Sequence, residues 1–351
     1  MAKQVVLFTD PPWARDEHGR LDESRATVER EVLGDDYELR FAPCGERVYR
    51  HDGAEFARDL TRADALVICR YQIGMRTLEL APKLRVVCRQ GVGFDNLSED
   101  LLRERGLIGF NIPDYCTDEV AAHTVALVLA LERRLLPQHN ALAGGTFDVY
   151  AGGVPRRLQR ATAGIIGFGR IGRAVAARLR MFYREVYACD PYVAGDLMEA
   201  HGVCKLALTE LLLRSDVVLL HPSLTAETKH LIDASAIELM KPDALLINAA
   251  RGALIEPRAL WHALSAGRLG GAGLDVFSPE DPKDDPWYAQ IVRLPNVVVT
   301  SHRAFLSEEA ELSQRSRAVE GVKRVLEHGL PPAEGHRTAG VVYRWASSGG
   351  A

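Results

Sequence analysis

Short apolar runs alternate with helical patterns along most of the chain. QVVLFTD, YELRFA, ALVICR, LRVVCRQ and LIGFNI fill the first hundred or so residues, with SRATVEREVLG and AEFARDLTRA among the helical stretches between them. A second series begins at residue 162 with TAGIIGF and continues through EVYACD, DVVLLH, ALLINAA, GAGLDVF and NVVVTSH. These runs are nearly continuous in Val, Ile and Leu, without the polar–apolar alternation of a sheet wetted on one side. They suit strands covered on both faces. Strand–helix alternation implies parallel strands joined by helical crossovers. With 351 residues and roughly 100–200 residues per domain, the chain is expected to form two α/β domains, each on a doubly wound parallel sheet.

Between the two series lies DEVAAHTVALVLALERRL, residues 118–135, with acids at its start and arginines at its end, matching the helix macrodipole. It predicts one long helix linking the domains, with His123 on it as a structural residue. A glycine-rich loop, AGGTFDVYAGG, follows. The helical pattern over 307–328 is expected to return to the first domain. The small, polar stretch from 331 onward is expected to be a loosely ordered extension.

The formal net charge is −4 and no basic block is present, which argues against nucleic acid or an anionic membrane as partner. No apolar stretch approaches the ~20 residues of a membrane span, and the N-terminal residues lack the apolar core of a signal peptide. Cys44, Cys69, Cys88, Cys116, Cys189 and Cys204 show no C-x-x-C spacing. They are expected to be reduced thiols of a cytoplasmic protein, with no metal site.

The stretch GIIGFGRIGRAVAARL, starting at Gly164, follows a predicted strand and opens a predicted helix. In that context Gly167 permits a tight turn, Gly169 lets a pyrophosphate approach the backbone, and Gly172 allows close helix–strand packing. The helix N-terminus then faces the phosphates. Asp190 ends the next predicted strand, 18 residues beyond Gly172. A carboxylate there accepts hydrogen bonds from an adenosine ribose diol and repels a 2′-phosphate, which favours NAD over NADP. The second domain is therefore expected to be a Rossmann-like dinucleotide-binding domain.

Three further segments follow predicted strands: INAARGALIE with Arg251, GLDVFSPEDP with Asp275 and Glu280, and VVVTSHRAF with His302. Each alone has an ordinary reading: a surface arginine, a solvated loop acid, a capping histidine. Together they form a working set for hydride transfer. A histidine donates or accepts the proton on the substrate oxygen. A neighbouring carboxylate, Glu280, stabilises its imidazolium form. An arginine fork, Arg251, grips a substrate carboxylate and polarises the adjacent carbonyl. Asp275 is placed to accept a hydrogen bond from the nicotinamide carboxamide.

The order and spacing of RQGVGFDNLSEDLLRERG, NIPDYCTDEVAAHTVALVLAL, GIIGFGRIGRAVA, LTAETKHLIDASAIELMKPDALLINAARGALIE, GLDVFSPEDP and SHRAFLSEEA resemble the D-isomer-specific 2-hydroxyacid dehydrogenase family. The resemblance runs over roughly 85–310 and is strongest to the branch that includes the C-terminal-binding proteins. It implies Arg251, Glu280 and His302 as catalytic residues. The cofactor positions expected are Gly167, Gly169, Arg170, Ile171, Gly172, Asp190, His221, Thr225, Ala250, Arg251, Asp275 and His302. The substrate carboxylate is expected at the backbone amides of Gly91, Val92 and Gly93, with Arg251 and His302 also on the substrate.

The implied architecture is two doubly wound domains with a cleft between them: a discontinuous substrate domain of 1–118 plus 308–335, an NAD-binding domain of 119–307, and a tail of 336–351. It also implies a homodimer through the coenzyme domain, with 137–160 as the arm. The chain departs from the branch after His302, where Arg303, Ala304 and Phe305 replace small residues and a tryptophan. Phe305 keeps an aromatic wall without an indole N–H. Arg70, beside Tyr71 at a strand end, is a candidate for a second anionic group on the substrate. The leading expectation is an NAD-dependent enzyme interconverting a small 2-oxo acid and its D-2-hydroxy acid. Two alternatives stand: an NAD(H)-responsive corepressor-like binding protein, and a dehydrogenase of another small anion such as formate or phosphite.

Overall fold

The computed structural model of the protein describes residues 3–42 and 53–330. Cys44 and the tail from 331 onward lie outside the described residues. The chain divides into two compact units. One is built from the segments up to Tyr115 and from Ser307 onward; the other is Cys116–Leu306. The breaks at 115/116 and 306/307 lie one to three residues before the expected boundaries.

In the first unit, β1 (Gln4–Phe8), β2 (Tyr37–Phe41), β3 (Ala65–Ile68), β4 (Val86–Arg89) and β5 (Ile108–Asn111) form a five-stranded sheet in the order β2-β1-β3-β4-β5. Every pairing in it is parallel. All residues of β3 and β4 are buried, which is why these segments read as uninterrupted apolar runs. The helix Glu308–His328 supplies part of this unit's core: Ala318, Val319, Val322 and Val325 pack with Val6, Phe8, Val67 and Val86. The side chain of Ser307 caps the helix by accepting from Ala310 N at 2.9 Å, and Glu308, Glu309 and Glu311 sit in its first turn. The helix is tied down by Arg315, whose guanidinium donates to both oxygens of Glu29 at 2.8 and 2.9 Å and lies 4.0 Å over the Trp13 ring.

In the second unit, β6 (Thr162–Ile166), β7 (Glu185–Cys189), β8 (Cys204–Lys205), β9 (Val217–Leu220), β10 (Leu245–Asn248), β11 (Gly271–Leu274) and β12 (Val297–Val299) form a seven-stranded sheet. Its order is β12-β11-β10-β9-β6-β7-β8, again wholly parallel. The sequence pattern did not show β8. Its two residues are exposed edge pairings to Tyr187 and Ala188, with no apolar run to mark them.

The long helix expected over 118–135 is also corrected. It spans Thr117–Glu132 and stops where Arg134 takes a left-handed φ of 54°; a separate helix, Leu135–Ala143, follows. It does not act as a linker. Ala121, Val125, Leu127, Val128 and Leu131 lie in the core of the second unit with Ile165, Leu219 and Leu245. Among the described residues no helix is long and apolar enough to cross a membrane.

Glu29 is fully buried and Arg315 nearly so. Arg315→Ala should therefore destabilise the first unit by about 3–5 kcal/mol, because it leaves a buried carboxylate without its cation. Chemical denaturation followed by near-UV circular dichroism measures this; a loss under ~1 kcal/mol would show that the pair adds no more than a surface bridge.

Candidate active site

Because the strands of the second unit are parallel, all of their C-terminal ends lie on one edge of the sheet, where open α/β folds bind ligands. Read along the sheet order, that edge carries His302 after β12, Asp275 after β11, Arg251 after β10, His221 after β9, Gly167 after β6 and Asp190 after β7. The chain reverses direction across the sheet between β6 and β9, the topological switch point. Arg251 and His302 follow strands two steps apart, roughly 10 Å of sheet.

The three glycines divide the work as the motif requires. Gly167 has φ +90°, and a Cβ on it would stand 2.5 Å from the backbone of His221 and Pro222. A Cβ on Gly172 would meet the Gly167 carbonyl oxygen at 2.1 Å, so helix and turn are in backbone contact. A Cβ on Gly169, by contrast, would meet nothing within 4 Å. Open space thus lies in front of the residue that caps the helix Arg170–Leu179, and no side chain caps that helix. An uncapped helix N-terminus behind a glycine turn suits an anionic group such as a pyrophosphate. Arg170 is exposed and Ile171 half-buried against the core. Asp190 accepts from Phe168 N at 2.8 Å and Tyr192 N at 2.9 Å, one bond to each carboxylate oxygen, which fixes the carboxylate beside the glycine turn.

His221 N donates to Ile166 O at 2.7 Å, but its Nε2 is buried with no hydrogen-bond partner among the described residues. Burial pushes this imidazole down to about 4. Thr225 lies farther out, in an exposed turn where its amide donates to Thr228 Oγ1 at 2.8 Å.

His302 occupies a left-handed conformation at φ 52°, costly for a residue with a Cβ by about 1–3 kcal/mol. The surrounding turn holds it there. His302 N donates to Asp275 O at 2.7 Å, while the Asp275 carboxylate accepts from Arg303 N and Ala304 N, both at 3.0 Å, and from Thr300 Oγ1 at 2.5 Å. Asp275 has no exposed surface. Through these bonds the carboxylate organises the turn that carries His302.

His302 Nδ1 is hydrogen-bonded to Glu280 Oε1, which leaves Nε2 as the nitrogen available to a substrate. Phe305 stands edge-on to the imidazole with centroids 6.3 Å apart, and Arg303 is exposed. His123 lies beside this turn, with its Nε2 2.9 Å from Thr300 Oγ1.

The loop carrying Arg251 is held by Asn248, a fully buried residue that the sequence reading did not single out. Its Nδ2 donates to Arg251 O at 2.8 Å and its Oδ1 accepts from Ala250 N at 3.1 Å. Gly252 is pressed against Phe277, whose carbonyl carbon would lie 2.0 Å from a Cβ, and the hydroxyl of buried Tyr288 donates to Gly252 O at 3.2 Å. Arg251 itself is half-buried, with Nη1 donating to Ala250 O at 2.8 Å.

The first unit places its candidates on adjacent strands. Arg70 and Tyr71 follow β3, where the Asp10 carboxylate accepts from the amides of Cys69, Arg70 and Tyr71. The Tyr71 hydroxyl meets Thr77 Oγ1 at 2.8 Å, and its ring packs edge-on against Phe56. Gly91, Val92 and Gly93 follow β4. Asn111 Nδ2 holds the loop through Val92 O at 2.6 Å, and among the described residues the amides of Val92 and Gly93 find no acceptor. Successive free amides of this kind suit a carboxylate. Behind them Arg89, also missed from sequence, is buried with its guanidinium in the space a Gly91 side chain would need.

The burial of His221 couples folding to pH. The unfolded chain takes up a proton near ~6.5 that the folded ring refuses until about 4. Stability from this residue therefore falls as pH drops from ~6.5 toward 4. Urea unfolding of the cofactor-free protein at pH 7 and pH 5 should show a smaller pH-dependent loss in His221→Gln than in wild type; equal losses would refute it.

The family model described as "D-isomer specific 2-hydroxyacid dehydrogenase, NAD binding domain" matches residues 125–304. D-3-phosphoglycerate dehydrogenase of Methanocaldococcus jannaschii is 36% identical over 275 residues, covering 78% of this chain and 51% of that protein. The Mycobacterium tuberculosis protein of the same name is 34% identical and covers 89% of this chain and 57% of its own length. The chain thus spans about half the length of the curated relatives it matches. Among solved structures, D-lactate dehydrogenase from Aquifex aeolicus, complexed with NAD and lactic acid, superposes with a TM-score of 0.82 at 28% identity, covering 92% of this chain and 96% of that one. The TT0316 protein from Thermus thermophilus does so at 0.76 and 32%, covering 94% and 99%. With a cofactor cradle and an Arg–Glu–His set on one sheet edge, and with these relatives, the chain belongs to the D-isomer-specific 2-hydroxyacid dehydrogenase family, and residues 125–304 are its NAD-binding domain.

Proposed function

We propose that the protein is an NAD-dependent dehydrogenase that interconverts a small 2-oxo acid and its D-2-hydroxy acid. The observation that carries this is the His302–Glu280 hydrogen bond through Nδ1, on the same edge as Arg251 and the glycine cradle. NADH, when bound, supplies a hydride to the carbonyl carbon. His302 delivers the accompanying proton to the carbonyl oxygen from Nε2, and in the reverse direction removes it there. Glu280 holds the ring and stabilises the imidazolium. Arg251 orients the substrate and polarises its carbonyl, and in the 91–93 loop the amides of Val92 and Gly93 take its carboxylate, since the Gly91 amide donates to Arg89 O.

Gly167, Gly169 and Gly172, with the first helical residues Arg170 and Ile171, hold the pyrophosphate. Asp190 takes the adenosine ribose, so NADH is used in preference to NADPH. His221, Thr225 and Ala250 border the cofactor. Asp275 contributes by holding the His302 turn. Arg70 and Tyr71 select the substrate side chain. The curated relatives carry the name D-3-phosphoglycerate dehydrogenase, which puts phosphorylated acids among the first candidates.

Steady-state assays with NADH and NADPH against pyruvate, glyoxylate, a dicarboxylic 2-oxo acid and the 2-oxo product of 3-phosphoglycerate test this reading. His302→Ala should lose at least about 10²-fold in kcat while NADH still binds, as read by fluorescence. Near wild-type turnover in that variant would remove His302 from the acid–base role. Tight NADH binding without oxidation by any acid would point to a binding protein instead, and NAD reduction by formate or phosphite to the other alternative.

The reading includes a homodimer through the coenzyme domain. Its support is the apolar exposure of 135–154: Leu142 is 61% exposed, Phe147 93%, Val149 77%, Tyr150 70% and Val154 75%. Several large apolar side chains exposed within one short segment are the kind of surface an interface covers. Replacing Phe147 and Tyr150 together by Asp should shift the protein from dimer to monomer in light scattering, with its circular dichroism spectrum kept; an unchanged mass would place the interface elsewhere. A cytoplasmic location also belongs to this reading, supported by the five unbridged thiols of the described cysteines.

A further inference from the structure

The turn that carries His302 leans on a residue far away in sequence. Asp275 is fully buried, and its carboxylate accepts the Thr300 hydroxyl at 2.5 Å. That hydroxyl has one proton, and it donates this to the carboxylate oxygen. Thr300 Oγ1 therefore turns a lone pair toward His123 Nε2, 2.9 Å away. The direction of the chain is set: Nε2–H of His123 donates to Thr300, and Thr300 donates to Asp275. His123 Nε2 also lies 3.6 Å from Asp275 Oδ1.

The helix that presents His123 is well anchored. Ala121, Thr124 and Val125 flank it and are buried, and the helix packs against β10, β11 and β12. The imidazole, only 22% exposed, is therefore a fixed donor.

We propose that His123 is a positioning residue for the acid–base histidine, acting through Thr300 and Asp275; this rests on the reading of His302 as the proton donor. With His123 in place, the Thr300 hydroxyl has one usable rotamer and the Asp275 carboxylate is held square to the amides of Arg303 and Ala304. Those bonds and the His302 N–H to Asp275 O bond hold His302 in its left-handed conformation, with Nδ1 against Glu280. Without the donor, the hydroxyl is free to rotate and the carboxylate loses a fixed neighbour. Binding of cofactor and substrate survives, while alignment of Nε2 for proton transfer does not.

The test uses the full chain and two variants. His123→Gln keeps an N–H at the same reach from the backbone; His123→Leu keeps the bulk and removes the donor. Each is assayed for kcat, KM and NADH affinity, and by hydrogen exchange of the segment 299–306. In His123→Leu kcat should fall about tenfold with KM and NADH affinity within about twofold, the size and pattern expected when one hydrogen bond that shapes the reacting geometry is lost. The amides of Arg303 and Ala304 should exchange about tenfold faster, reporting the loosened turn. His123→Gln should restore both. Should His123→Leu fail to fold, Thr300→Val against Thr300→Ser replaces the pair with the same expectations.

A kcat and exchange rate in His123→Leu within about twofold of wild type would overturn the proposal, as would equal losses in the Leu and Gln variants. If wild type turns over no 2-oxo acid, the enzymatic reading falls. Exchange then decides alone: faster exchange in Leu but not Gln supports the positioning chain, and unchanged exchange ends it.

Discussion

Every ladder of the seven-stranded sheet is parallel, and much of the chemistry follows from that. Parallel strands need crossovers that return the chain to the same starting edge, so each strand finishes on the opposite one. Residues from 167 to 302 are thereby gathered into one row, although they are spread over most of the unit's length. The row has a direction. Asp190 and the glycine turn stand on one side of the switch point, and Arg251, Asp275 and His302 on the other. On the function proposed, a dinucleotide laid along it would have its phosphates at the helix N-terminus and its reactive end near the histidine.

Within that row, polar groups set the precision, Asn248 and Asp275 fully buried and Asp190 half-buried. Asp275, Asn248 and Asp190 each use a side-chain carbonyl or carboxylate to gather backbone amides at a strand end. Asp10 does the same in the first unit for residues 69–71. A buried carboxylate without partners would be costly, so these bonds are obligatory and the turns they hold are rigid. His302 shows the use of that rigidity. Its left-handed backbone persists because the Asp275 turn dictates it, and its ring is turned so that only Nε2 is left for a substrate.

Much of this was legible in the residues. The apolar runs of β1, β3 to β6 and β9 to β11 mark strands because both faces are covered, and Gly167 and Gly172 mark a turn that no side chain fits, with open space in front of Gly169. Arg251, Glu280 and His302 stood out because each closely follows such a run. The legible part was local. Thr117–Glu132 ended short of expectation because Arg134 adopts a left-handed φ, which the helical pattern did not betray. β8 was invisible because an exposed two-residue edge pairing needs no pattern. Asn248 reads as the last residue of an apolar run, and its role depends on where the strand stops.

Alternation and glycine spacing were enough for fold class and cofactor type, because these depend on periodicity and on contacts between near neighbours; the family was legible as a resemblance in the order of longer motif stretches. The burial of Asp275, the support of His302 by Thr300 and His123, and the guanidinium of Arg89 behind Gly91 came only with the folded chain. His123 and Thr300 are 177 positions apart, and no periodicity encodes a hydrogen bond across that distance. It exists because helix and sheet pack in one register, which the whole core decides together.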